Sequence, residues 1–163
     1  MGALLEAVGD SDVPFLAAMG ESIWNEHYTP IIGKAQVDYM IEKYQSEAAV
    51  RRQIAEEGYE YFFIMHEGIR AGYVGVQEND GLYLSKLYVL REFRGLGIGG
   101  RVLISLMRLC RERGVSRIWL TVNRNNVNSA RAYESWGMKM IREQKVDIGG
   151  GFFMDDFVYE IEV

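Results

Sequence analysis

Residues 87–101, Leu-Tyr-Val-Leu-Arg-Glu-Phe-Arg-Gly-Leu-Gly-Ile-Gly-Gly-Arg, decide the fold. An aromatic and β-branched run ends at Leu90, and an arginine-flanked segment then places glycines at 95, 97, 99 and 100. A helical period follows at once, with Val102, Leu103, Leu106, Leu109 and Cys110 on one side, and stops at Gly114. Glycine permits positive φ and lets a ligand approach the backbone closely. The N–H groups of Gly97, Ile98, Gly99 and Gly100 fall in the first helical turn, where no preceding carbonyl accepts them. Donors aimed one way, together with the helix dipole, make an anion site worth about 0.3–1 kcal/mol per favourable charge. Arg94 and Arg101 are expected to add counter-charge, so the ligand should carry a phosphate or pyrophosphate. G-x-G-x-x-G can be written from Gly95 to Gly100, but that fingerprint opens a βαβ unit and needs an acid about 20 residues on. Here Val115, Ser116, Arg117 and Ile118 stand in that region, and the Gly-Lys-Ser/Thr of a P-loop is absent. A merely flexible loop explains the glycines but not their placement at a helix start between arginines.

Outward from this segment, the upstream chain reads first as helices and then as a meander. Helical spacing runs from Val13 to Tyr28, is interrupted at Thr29-Pro30, resumes from Lys34 to Tyr44, and ends in a shorter helix over Glu47–Glu57 before Gly58. The period then changes. Tyr59–His66 and Ile69–Gln77 read as strands joined at Glu67-Gly68, and Glu78-Asn79-Asp80-Gly81 turns into a third strand, Leu82–Leu90. Downstream, Arg117–Val122 is a strand and Asn128/Ser129 to Trp136 a short helix stopped by Gly137. Met138–Asp147 and Phe152–Val163 follow as strands hinged at Gly149-Gly150-Gly151. Helices, a meander and then β-α-β-α-β-β imply an α+β fold: a mixed, mostly antiparallel sheet flanked by helices, in a single domain over residues 1–163.

Composition narrows the function classes. The chain of 163 residues has 48% apolar and 25% charged residues and a formal net charge of −5. Residues 1–60 carry four bases and eleven acids, residues 61–141 twelve and six, and residues 142–163 two and six. An acidic protein is a poor nonspecific nucleic-acid binder, whereas the basic middle suits an anionic ligand. One cysteine, Cys110, excludes an intramolecular disulfide and a multi-Cys zinc site, and with only His27 and His66 no metal is expected. No stretch approaches the roughly 18 apolar residues that span a bilayer, and the start lacks a basic n-region and long apolar run. The expected location is the cytoplasm.

The element Arg94-x-x-Gly97-x-Gly99 after a Leu-Tyr-Val strand end resembles the acyl-CoA signature of the GNAT superfamily of N-acetyltransferases. Asn126-x-Asn128-Ser129-Ala130-x-Ala132-Tyr133-Glu134-x-Trp136-Gly137-Met138 is similar to that superfamily's second segment, with Met138 where phenylalanine is usual. The resemblance covers about residues 60–163 well and the N-terminal helices more loosely. It implies a central β-α-β-α acyl-CoA-binding core, acetyl-CoA as co-substrate, and direct attack by an amine in a ternary complex. On this reading the backbone of Arg94, Gly95, Leu96, Gly97, Ile98 and Gly99 holds the pyrophosphate, with Gly100 and Arg101 adjoining. Leu87, Tyr88 and Val89 pair with the pantetheine arm and polarise the carbonyl. Asn126 touches that arm, with Asn128 as its rival; Asn128 also reads as a helix cap. Tyr133 is the catalytic acid for the leaving thiolate, against a second reading in which it only packs on Trp136.

Spacing leaves the base open among Glu78, Asp80, Ser85 and a relayed water. His27 and His66 read as packing residues, and Cys110 as core. The tail Gly151-Phe152-Phe153-Met154-Asp155-Asp156 is similar to the ending of polyamine-acetylating members. With acidic N-terminal and C-terminal regions and aromatic Trp24, Tyr28, Tyr39 and Tyr44, it points to a polyamine or another small cationic amine. A protein N-terminus or lysine is the alternative acceptor. A catalytically silent acyl-CoA-binding module and a nucleotide-binding protein are the alternative functions. The aromatic C-terminal strands are compatible with a homodimer.

Overall fold

The computed structural model describes residues 4–163. A seven-stranded sheet in the order β1-β2-β3-β4-β5-β7-β6 runs through it. Strands β1 (Leu5–Ala7), β2 (Tyr59–His66), β3 (Ile69–Glu78) and β4 (Leu82–Val89) form an antiparallel half. In the other half β7 (Phe152–Glu162) lies antiparallel between β5 (Arg117–Asn123) and β6 (Lys139–Gly149). Among the described residues the only parallel pairing is β4 with β5, which joins the halves.

Strand alternation sends successive side chains to opposite faces, and each face has its own core. Ile64, Val74, Val76, Leu82 and Leu84 pack with Val102, Leu103, Leu106 and Cys110 of helix α5 (Ile98–Arg113), with helix α6 (Val127–Ser135) at its margin. Tyr61, Phe63, Tyr73 and Tyr88 pack instead against helix α1 (Val13–His27) and helix α3 (Lys34–Met40). Helix α4 (Glu47–Glu56) adds Val50 to that core, and Ser46 caps it by accepting from the Ala49 N–H at 3.2 Å. No helix of the described residues is long and apolar enough to cross a membrane.

The α+β architecture agrees with the sequence expectation, and the differences are local. Strand β1 has only three residues, too few to show a period, and was not anticipated. Thr29-Pro30 opens a four-residue helix, α2 (Thr29–Ile32), because a proline in a first turn needs no N–H partner. The helix expected over Lys34–Tyr44 leaves the α form at Met40 and continues as a π-helical turn, Ile41–Gln45. The Glu67-Gly68 hairpin has both residues at positive φ, 51° and 78°.

One irregularity opens the sheet. β4 and β5 pair only at Leu82–Ile118 and Tyr83–Trp119 and then diverge. Beyond that point β4 is paired through to Val89 on its β3 side alone, with Ser85 bulged out between the Val76–Leu84 and Gly75–Lys86 pairs.

Candidate active site

The open end of the β4–β5 wedge leads into the glycine loop. Gly95 and Gly97 hold φ of 80° and 74°, with open space where a Cβ would stand. Gly97 is the N-cap residue of α5. Gly99 and Gly100 serve a different purpose. A Cβ on Gly99 would lie 2.6 Å from the Trp136 indole, and one on Gly100 3.2 Å from it. Two glycines therefore turn the backbone, and two admit the tryptophan that follows α6 against the start of α5.

Arg94 corrects the counter-charge expectation. Its Nη1 lies 2.7 Å from Glu26 Oε1, and its Nε donates to the Val89 carbonyl at 2.9 Å. It ties the loop to α1 and to the end of β4, which leaves the loop's backbone N–H groups to meet an anion.

A cleft of about 500 Å³ lies along this loop. Leu87, Tyr88, Val89, Arg94, Gly95, Gly97, Ile98, Gly99, Asn128 and Tyr133 all line it, with Trp136 and His27. Leu96 is 54% exposed, and neither it nor Gly100, Arg101 or Asn126 is on the cleft wall. The two asparagines stand opposite to the capping expectation. α6 begins at Val127, so Asn126 is its N-cap residue, buried and making no side-chain capping bond, while Asn128 faces the cleft. His27 stacks edge-on to Tyr28 at 4.8 Å. Burial first, and the Arg94 charge second, hold its pKa below the usual imidazole value, while a hydrogen bond with Asn126 opposes them.

A second cavity of about 350 Å³ occupies the wedge itself and shares Tyr28, Leu87, Tyr88 and Tyr133 with the cleft. Tyr133 thus stands where the two meet. Its ring packs edge-on against Trp136, with centroids 5.4 Å apart, so the packing reading and the junction position coexist. Burial pushes its pKa up to about 12, which keeps the phenol protonated at neutral pH.

Aromatic rings, among them Trp24, Tyr28, Tyr44, Tyr59, Tyr83 and Trp119, wall this inner cavity. Its charged lining residues are Lys86, Arg142 and Asp156. Lys86 is 3% exposed and donates to the Tyr44 carbonyl at 2.5 Å and to Gln53 Oε1 at 3.1 Å. Burial lowers its pKa to about 7. Gln45, in the π-helical turn, links the Tyr73 and Tyr88 hydroxyls behind the wall.

The acids of the N-terminal region lie elsewhere: Asp38 pairs with Lys34, Glu47 with Arg51, Glu26 with Arg94 and Glu60 with Arg113. Tyr39 is also absent from the lining, its hydroxyl donating to the Ile148 carbonyl at 2.7 Å. Of the three base candidates, Glu78 pairs with Arg113 at 3.3 Å, and the Asp80 side chain is 94% exposed in its turn. Ser85 lines the inner cavity, bonded to the Tyr59 hydroxyl at 2.9 Å. Sequence reasoning missed Lys86 and Asp156. The available signal for Lys86 was its buried phase beside Tyr88, although the Ser85 bulge moves these two to the face opposite Leu82 and Leu84.

The same sheet occurs in solved proteins. A GCN5-related N-acetyltransferase from Rhodopseudomonas palustris superposes with a TM-score of 0.81 at 16% identity, over 98% of this chain and 94% of that one. PaiA N-acetyltransferase from Thermoplasma acidophilum, in complex with coenzyme A, gives 0.74 at 17% identity over the whole of both chains. In sequence, an uncharacterized N-acetyltransferase of Lactobacillus delbrueckii subsp. lactis is 23% identical over 157 residues, which is 91% of each chain. The pattern of the acetyltransferase (GNAT) family matches residues 21–138, from mid-α1 to the residue before β6. It spans the wedge, the loop and Tyr133, and the chain belongs to the GNAT family of acetyltransferases.

Proposed function

We propose that residues 1–163 form one N-acetyltransferase domain that moves an acetyl group from acetyl-CoA to the nitrogen of a small amine, with both substrates held at once. The observation that carries this reading is the divergence of β4 from β5 beneath the glycine loop. A β4 edge unpaired on one side offers backbone donors and acceptors to an extended amide-bearing chain such as pantetheine, which would lie there like an added strand. The loop at the end of that edge has turned glycines and free space for a pyrophosphate.

In this arrangement the backbone of Arg94 to Gly99 holds the pyrophosphate. Leu87 to Val89 hold the pantetheine arm and polarise the thioester carbonyl, and Asn128 flanks the arm from α6. Tyr133, at the meeting of the two cavities, protonates the departing sulfur. The inner cavity takes the acceptor. Its aromatic wall and single carboxylate beside Lys86 and Arg142 favour one ammonium on an apolar or aromatic body over a polyamine, whose further cations would face two bases. The buried, unpaired Cys110 fits a reducing, cytoplasmic setting.

The test is thiol release from acetyl-CoA with tyramine, spermidine, spermine, an aminoglycoside, amino acids and N-terminal peptides, with Tyr133→Phe run in parallel. Tyramine is expected to exceed the polyamines. Tight acetyl-CoA binding without turnover on any amine would make the chain a binding module. Equal affinity for ADP and acetyl-CoA would make it a nucleotide-binding protein.

A further inference from the structure

Attack on the acetyl carbon needs a neutral nitrogen, yet an alkylamine at pH 7 is an ammonium with a pKa near 10.4. Its proton must go somewhere inside the wedge. Asp155 and Asp156 are neighbours on β7, and strand alternation sends them to opposite faces. Asp155 meets Arg124, whose Nε lies 3.3 Å from its Oδ1. Asp156 turns inward onto the acceptor cavity and is 2% exposed. Its pairing partners are Asn123 on β5 and Gln144 on β6, and neither is charged.

Among the described residues Asp156 takes part in no ion pair, and its Oδ1 is buried without a hydrogen-bond partner. A protein interior tolerates such a carboxylate poorly unless something else meets it. Here the adjoining space is a 350 Å³ cavity bordered by Tyr133.

We infer that Asp156 is the proton acceptor of the transfer: its free Oδ1 receives the acceptor's ammonium and removes one proton from it. The inference rests on the amine-acetyltransferase reading above. The freed nitrogen forms the C–N bond as the C–S bond breaks. The sulfur takes the Tyr133 proton, the nitrogen's surplus proton restores Tyr133, and the proton on Asp156 leaves to solvent.

Burial first, and the charge of Asp155 second, push the Asp156 pKa up to about 6, so it is ionised at pH 7 yet a better base than an ordinary carboxylate. The groups facing it are Tyr28, just after α1, and Tyr133 of α6, both raised by burial and protonated at that pH, with Lys86 of β4 and Arg142 of β6 on the same cavity. Lys86 titrates near the same window and has to be separated from Asp156.

The experiment compares Asp156→Asn, nearly isosteric and uncharged, with wild type on tyramine or on the panel amine of highest turnover. At pH 7.5 kcat is expected to fall about 100-fold or more, the low end for lost acid–base catalysis. The acetyl-CoA Kd should stay within twofold, and Tm should be no lower. The defect should shrink below tenfold with methoxyamine, which is already neutral at that pH, a change that a structural role would not produce. The wild-type fall in kcat/KM below about pH 6 should vanish in Asp156→Asn and persist in Lys86→Met. Activity within threefold of wild type, or equal defects with both amines, would overturn the inference and leave the acetyltransferase reading intact. Asp156→Ser is carried alongside; if neither variant folds, the carboxylate is a fold element and the inference falls. Wild-type silence on every amine would remove the acetyltransferase reading and this inference with it.

Discussion

The two cavities that meet at Tyr133 are built from different material. The outer cleft draws much of its wall from one short stretch of chain, the β4 edge, the turned Gly95 and Gly97 and the first turn of α5, with residues of α1 and α6 facing it. The inner cavity is assembled from distant parts of the chain, with residues from α1, the π-helical turn and α4 facing others from β4, β5, β6 and β7. Backbone sites depend on a few residues close together in sequence, because only certain types reach the required φ. Side-chain sites depend on where distant elements converge, and almost any residue type can stand at a given wall position. A cleft of the first kind fixes which group is transferred. A cavity of the second kind is free to vary in what receives it.

The largest effect should come at the junction. Tyr133→Phe is expected to lower kcat about 100-fold, about 2.7 kcal/mol, with acetyl-CoA affinity within twofold. Steady-state rates beside calorimetric binding check this, and a loss of binding instead would place Tyr133 in the cleft wall alone. Next, Gly99→Ala puts a methyl group 2.6 Å from the Trp136 indole. Overpacking of that kind costs about 1–3 kcal/mol, and Trp136→Leu in the same chain should recover part of it in urea unfolding. Failure of the second change to help would mean that Gly99 is needed for backbone approach rather than for packing.

A pH effect separates the inner cavity from the outer. Lys86 has a pKa of about 7 when folded and 10.5 as its ordinary value. The unfolded chain binds more protons between these values, so stability should rise with pH from about 7 to 10. The slope approaches about 1.4 kcal/mol per pH unit at most. Below pH 7 both states are protonated and this contribution is flat. Urea midpoints at pH 7, 8 and 9 should show the rise in wild type and not in Lys86→Met. The smallest effect belongs to Leu96, whose side chain is 54% exposed and off the cleft wall. Leu96→Ala should change stability by less than about 0.5 kcal/mol. Acetyl-CoA affinity should hold within twofold, and a larger loss would mean that the cleft reads this side chain as well as backbone.

This division also explains what the sequence revealed. The helix–meander–βαβ order and the glycine loop were legible because each is a local pattern: strand alternation, glycine spacing, a short helix stopped by Gly137. Tyr133 was singled out by resemblance rather than by such a pattern. The π-helical turn was not, since Ile41 and Tyr44 keep a helical spacing whichever carbonyl their N–H groups reach. Arg94 read as a free cation because its partner, Glu26, lies 68 positions away in sequence and its pairing is a fact of packing. In sequence Asp156 is only one residue of an aromatic and acidic tail. That Asp155 would find Arg124 while Asp156 faced a cavity depended on the phase of β7 between β5 and β6.

The wedge between β4 and β5 also bears on how long the protein survives. Two strands joined at only two residue pairs leave the halves of the sheet with little backbone pairing between them, held together mainly by the core they share under α5. A substrate that fills the gap binds the folded chain and not the unfolded one. At a hundred times its dissociation constant such a ligand adds about 2.7 kcal/mol to stability. Opening of the sheet, and with it cleavage by proteases, would then be suppressed by about the same hundredfold. Resistance to proteolysis would then depend on how fully the acetyl donor occupies the gap.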